Sequence, residues 1–131
     1  RAPRPFVNKT RPQASRDGDL VPRGAVDALL CVYPFHSQEE PGTYRLGRAA
    51  PVPADGLEPL LEHLNSLDGV DASAERGCTL MGHDQYQIVL NHPDDTHVLV
   101  RIDDNCGTAS SAGAVRQIRR MDSVLGFWPD R

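Results

Sequence analysis

The sequence is poor in several things, and each shortage excludes a class of protein. No run of about 20 apolar residues occurs, so no segment reads as a membrane-spanning helix. Lysine appears once, at Lys9, against thirteen arginines, and the formal net charge is −4. A mildly acidic chain is a poor general binder of nucleic-acid backbones, which reward clustered cations. Aromatic residues make up only 5% and apolar residues 39% of the 131 positions. There are three cysteines and no CxxC pair, which argues against a structural zinc site. No phosphate-cradling loop, dinucleotide fingerprint or G-x-S-x-G elbow is present, so the commonest local signatures of nucleotide binding and serine hydrolysis are missing.

What the chain does have is 11 Pro and 11 Gly, implying much turn and extended backbone. The first 24 residues hold four Pro, six basic residues and almost no apolar periodicity, and they read as a tail or linker. Within them Leu20-Val21-Pro22-Arg23-Gly24 matches a thrombin-type cleavage sequence; Ala25 stands where engineered versions carry Ser, so it reads as native. Residues 25–131 read as a single domain, an amount of chain ordinary for one core.

Inside that domain, Ala25 to Tyr33 is a short apolar run between Gly24 and Pro34, suited to a strand. Thr43 to Val52 alternates weakly and is a second strand. Leu57, Leu60, Leu61, Leu64 and Leu67 share one helical face, with Asp55 placed to cap it and Asp68-Gly69 placed to stop it. A hairpin follows from Tyr86 to Ile102. With Pro93-Asp94-Asp95 as a three-residue loop, Tyr86 faces Ile102, Ile88 faces Val100 and Leu90 faces Val98; a one-residue slip would mix the faces. Asp tolerates the left-handed position that closes such a loop. Finally Ala114, Ile118, Met121 and Leu125 mark a helical stripe opposite Arg116, Arg119 and Arg120. The expected architecture is α+β: an antiparallel sheet of about four strands packed against one or two helices, supported by a disulfide.

The disulfide expectation comes from strand parity. Cys106 continues the apolar face of the hairpin, and Cys78 lies eight residues before Tyr86 on the same parity. A Cys78–Cys106 bond with Cys31 buried and free follows if Gly82-His83-Asp84 breaks the strand. Three reduced thiols in a cytosolic protein, or a bond involving Cys31, are the alternatives.

The segments LVP at Leu20 to Pro22, Cys31-x-Tyr33, Leu64-Asn65, Cys78, Tyr86, Pro93-Asp94, Val98, Val100 and Cys106 together resemble a group of small actinobacterial secreted proteins and lipoproteins of unknown function. The resemblance spans roughly residues 20–107 and departs at Asp95, where the group has Gly. It implies an extracytoplasmic location and a disulfide, and no activity. A small disulfide-bonded α+β body is also similar in size and style to the subtilisin-inhibitor type of secreted protein.

The chemistry-bearing residues are sparse. His92-Pro93-Asp94-Asp95-Thr96-His97 gathers metal-ligand types, but the hairpin register sends His92 and His97 to opposite faces. Asp103-Asp104-Asn105 lacks the spaced ligands of a calcium loop. Cys31 sits in an apolar strand, where a thiol behaves as a small hydrophobe. These residues point to no metal, no cofactor and no catalytic group. The expected function is a non-enzymatic secreted or cell-surface interaction domain, inhibitor-like in style, with a protein partner rather than nucleic acid. Arg116, Arg119, Arg120 and Trp128 are the candidate partner contacts. The alternative is a small hydrolase using Cys31 or a His/Asp pair.

Overall fold

The computed structural model describes residues 9–10, 19–37, 44–70, 84–112 and 114–129. Their strands form one sheet: β1 (Lys9–Thr10), β2 (Asp27–Tyr33), β3 (Arg48–Pro51), β4 (Asp68–Gly69), β5 (Gln85–Asn91), β6 (Thr96–Asp103), β7 (Thr108–Ser111) and β8 (Ala114–Gln117). Seven of them run antiparallel in the order β3-β2-β5-β6-β7-β8-β4, and the two-residue β1 pairs parallel with β6. Helix α1 (Leu57–Ser66) follows a short 3-10 turn at Ala54–Gly56, and α2 (Asp122–Leu125) is a single turn.

This corrects the expected α+β body of about four strands. The described residues are sheet-dominated, with one helix of any length among them. The extra strands leave little trace in the sequence because β7 (TASS) is made of small and polar residues without alternating hydrophobicity. The expected helix over Ala114 to Leu125 is instead β8 followed by α2. Ser111 pairs with Ala114 and Thr108 with Gln117, so the chain reverses tightly and continues the ladder. Ala114, Ile118 and Leu125 are buried all the same, because a strand, a bend and a helical turn bury similarly spaced residues.

The hairpin register is as the apolar pairing requires. Tyr86 pairs with Ile102, Ile88 with Val100 and Leu90 with Val98. The His92 N–H bonds the Thr96 carbonyl at 2.9 Å and closes a Pro93-Asp94-Asp95 loop, with Asp95 in the left-handed region at φ 64°. Asp94 Oδ1 accepts from both the Thr96 N–H and the Thr96 hydroxyl, which stabilises the turn locally.

The helix begins without the cap expected from Asp55: Gly56 precedes it and no side chain caps it. It ends at Ser66. Leu67 is extended, and Asp68–Gly69 pairs with Gln117 and Arg116 in place of forming a left-handed stop. Its face is as expected. Leu60, Leu61 and Leu64 pack in one cluster with Leu30, Ile88, Leu90, Val98, Val100 and Ile102 of the sheet. Leu20 and Val21, within the stretch read as a tail, are fully buried in that cluster, so the folded body reaches back to at least Leu20. The Asn65 side chain on α1 holds both main-chain groups of Val21, accepting from its N–H at 2.9 Å and donating to its carbonyl at 3.0 Å.

Part of the opposite face of the sheet is buried as well. Cys31, Val89 and His97 alternate with the core residues of their strands and are at most 2% exposed. No disulfide pair is complete among the described residues. Cys31 is a buried free thiol and Cys106 is disulfide-bonded. Cys78, the partner expected for Cys106, lies outside the described residues.

Because Leu60 and Leu64 are fully buried, Leu60→Ala or Leu64→Ala is expected to lower stability by about 2–5 kcal/mol. Urea unfolding followed by circular dichroism measures this, and a loss below about 1 kcal/mol in both variants would contradict the packing described.

Candidate functional site

A concave surface with several polar side chains lies where the last turn of α1 meets the chain between β8 and α2. It is a groove of about 240 Å³ lined by His63, Asp68, Gln117, Arg119, Arg120 and Ser123, among others. β4 brings Asp68 beside Arg119, whose Nε donates to Asp68 Oδ2 at 3.3 Å. Both side chains are well exposed, so the pair contributes little to stability. Arg120 is exposed, and Arg116 turns its Nη1 onto the Val115 carbonyl at 2.9 Å. The structure thus keeps Arg119 and Arg120 together at one groove, with Arg116 on the neighbouring strand. Trp128 does not join them. It is 1% exposed and its indole N–H donates to the Ala50 carbonyl at 3.0 Å, so it is a core residue rather than a partner contact.

Sequence reasoning missed one contact of catalytic type. His63 Nε2 lies 3.2 Å from Ser123 Oγ, joining α1 to α2. A serine nucleophile needs more than a nearby imidazole: an acid to orient the base, and donors for the developing oxyanion. Among the described residues no carboxylate bonds His63, whose ring instead packs 5.9 Å from Phe127. The Ser123 N–H is engaged with the Arg120 carbonyl at 2.9 Å and the Val124 N–H with Met121 at 3.0 Å, so neither faces the groove as a donor. No sequence signal marks this pair, since the two residues are 60 positions apart and meet only through the packing of α1 on α2.

Cys31 is unsuited to nucleophilic work. It is fully buried, and burial pushes its thiol up to about 11. The thiol therefore stays protonated at neutral pH, the reverse of the depression a reactive cysteine needs. The same burial raises Tyr33, with a further contribution from Cys31.

The candidate metal ligands are also dispersed. Among the described residues no group of three or more His, Cys, Asp or Glu is arranged to hold an ion. Asp103 Oδ1 accepts from the N–H groups of Asn105 and Cys106, both at 3.0 Å, which makes Asp103-Asp104-Asn105 a self-bonded turn. His97 is paired across the ladder with Asn91, on the face away from the Leu90–Val98 pair. His92 lies beyond the end of β5, near Gly24. Both imidazoles are buried, which the polar look of the loop did not suggest.

Comparison with protein-family models, with curated proteins and with solved structures returns no match, so the chemistry rests on the side chains alone.

His97 has both ring nitrogens buried without a hydrogen-bond partner, and burial lowers its pKa. Below its ordinary value near 6.5 the unfolded chain takes up a proton that the folded chain resists. Stability from this group is therefore present above about pH 6.5 and is lost as pH falls through the depressed folded value. Urea midpoints measured from pH 8 to pH 5 should fall, and His97→Phe should flatten the decline; an unchanged slope in that variant would refute the assignment.

Proposed function

We propose that this chain is a non-enzymatic interaction domain, secreted or cell-surface, that meets a protein partner. The observation that carries the reading is the state of the His63–Ser123 contact: the Ser–His pair has no orienting acid among the described residues, and the adjacent N–H groups are already bonded. The groove around it offers Arg119 and Arg120 to an acidic surface instead, and charges so exposed act mainly on association rate and selectivity. Among the described residues, no helix is long and apolar enough to cross a membrane. The extracytoplasmic part of the reading is supported by the disulfide-bonded state of Cys106, since such bonds persist in oxidising compartments. With Cys31 free, Cys78 is the partner we assign to Cys106.

Two measurements test this. Thiol counting on unfolded, unreduced protein should give one free thiol per chain, mapped to Cys31; three free thiols would overturn the extracytoplasmic reading. Esterase and peptidase assays should remain at background in wild type, while charge reversal by Arg119→Glu with Arg120→Glu should slow association with an acidic secreted partner by about tenfold or more. Hydrolysis above background that vanishes in Ser123→Ala would overturn the non-enzymatic reading.

A further inference from the structure

The groove between α1 and the chain leading into α2 collects polar groups from separate elements. His63 comes from α1, Gln117 from β8, Arg119 and Arg120 from the connection, and Ser123 from α2. Among the described lining residues Asp68 carries the one carboxylate, and its Oδ2 already accepts from Arg119 Nε at 3.3 Å. Arg119 keeps both Nη groups, and the Arg120 guanidinium makes no hydrogen bond or ion pair among the described residues. Two guanidinium groups against one carboxylate leave the groove positive in a chain whose formal net charge is −4.

The contact between His63 Nε2 and Ser123 Oγ, at 3.2 Å, decides what the hydroxyl does. With the ring proton on Nε2 the imidazole donates to Oγ, and the hydroxyl hydrogen is left for the groove. The Ser66 hydroxyl is spent on the His63 carbonyl at 2.7 Å, and the Leu67 N–H on the Leu64 carbonyl at 3.4 Å. These two bonds offset part of the negative charge that the end of α1 would otherwise turn toward the groove. A planar carboxylate is satisfied by one guanidinium through two parallel bonds, whereas a sulfate or phosphate group turns three oxygens in different directions and takes several donors at once. The donors here stand on separate elements: two guanidinium groups on the connection, the Ser123 hydroxyl on α2 and the Gln117 amide on β8. We infer that this groove binds a tetrahedral ester oxyanion, a sulfate or phosphate group displayed by the partner protein. This rests on the interaction-domain reading and names the group recognised.

The ester is held and not cleaved, because no carboxylate among the described residues bonds His63 to make it a base. Arg119 and Arg120 are exposed, so their attraction for the anion is screened by salt and binding of an isolated group is weak. The Ser123 hydroxyl adds directionality that charge alone lacks, since it donates along one bond set by His63.

The test is an NMR titration of the isotope-labelled full chain at constant, low ionic strength. Phenyl sulfate and phenyl phosphate are the probes, and benzoate is the planar anion on the same ring. At least one ester should bind saturably, moving the N–H signals of Arg119, Arg120 and Ser123, and the ester that binds identifies the group. Benzoate should bind at least about tenfold more weakly. Arg119→Gln with Arg120→Gln should weaken the ester by at least about tenfold and Ser123→Ala by about threefold or more, each with its fold checked by circular dichroism. Arg101→Gln, on the exposed part of β6, should bind as wild type does. Binding of neither ester, equal binding of benzoate, or unchanged binding in the double arginine variant or in Ser123→Ala would each overturn the assignment. A chain that binds neither ester, yet loses association with an acidic partner on charge reversal at Arg119 and Arg120, loses only the assignment of the group. Release of phenol that vanishes in Ser123→Ala removes the underlying reading.

Discussion

The pairing of β5 with β6 is the constraint on which the other contacts depend. Three facing pairs, Tyr86–Ile102, Ile88–Val100 and Leu90–Val98, place their side chains on one face. A slip of one residue would exchange that face for one carrying Gln87, Arg101 and His97. The turn prevents the slip, because Asp95 occupies the left-handed position and Asp94 bonds Thr96 across the loop. Once that register is set, β2 pairs along the whole length of β5, and β7 and β8 extend the sheet on the other side.

The apolar face so created must be covered, and three separate pieces of chain cover it. Helix α1 supplies Leu60, Leu61 and Leu64, while α2 and the segment after it supply Val124, Leu125 and Trp128. Leu20 and Val21 join the same cluster. Each covering piece is too short to be stable alone. Side-chain-to-main-chain bonds therefore fix them in place: Asn65 and Ser111 on the Leu20–Val21 segment, and Trp128 on the Ala50 carbonyl.

The parts legible in the sequence are those where one residue pattern has one structural solution. The hairpin register followed from apolar pairing and turn chemistry, and the α1 face followed from five leucines at helical spacing. The β7–β8 ladder was not legible, because Thr108 to Ser111 has no alternation and Ala114, Ile118, Met121 and Leu125 are compatible with a helix. What decides against the helix is non-local: Ile118 gives its N–H to the Gly107 carbonyl at 2.8 Å, and β7 takes up the main chain of β8. The candidate site suffered in the same way. Arg119 and Arg120 are legible as exposed groups, but the burial of Trp128 is not, because it depends on the distant Ala50 carbonyl that its indole N–H reaches. His63 and Ser123 meet only through the packing of α1 on α2. Leu20 and Val21 looked like part of a tail because two apolar residues among prolines and arginines give no periodicity; their burial depends on Asn65, far along the chain.

Burial on both faces of the sheet also decides where chemistry can reside. A thiol and an imidazole that might have reacted with a substrate, Cys31 and His97, are held in their neutral forms by the removal of water. The accessible charged side chains lie instead on loops, edges and the outer face of the helix, Arg23, Arg119 and Arg120 among them. A body arranged this way recognises by charge presented from loops and edges, since its interior groups neither reach solvent nor ionise near neutral pH. Recognition of that kind needs the presenting segment to be stiff, because ordering a flexible loop would offset part of the binding energy. The Leu20–Val21 anchorage, made of two buried side chains and three side-chain-to-main-chain bonds, provides that stiffness at Arg23, and the Asp68 contact holds Arg119 more loosely at the groove.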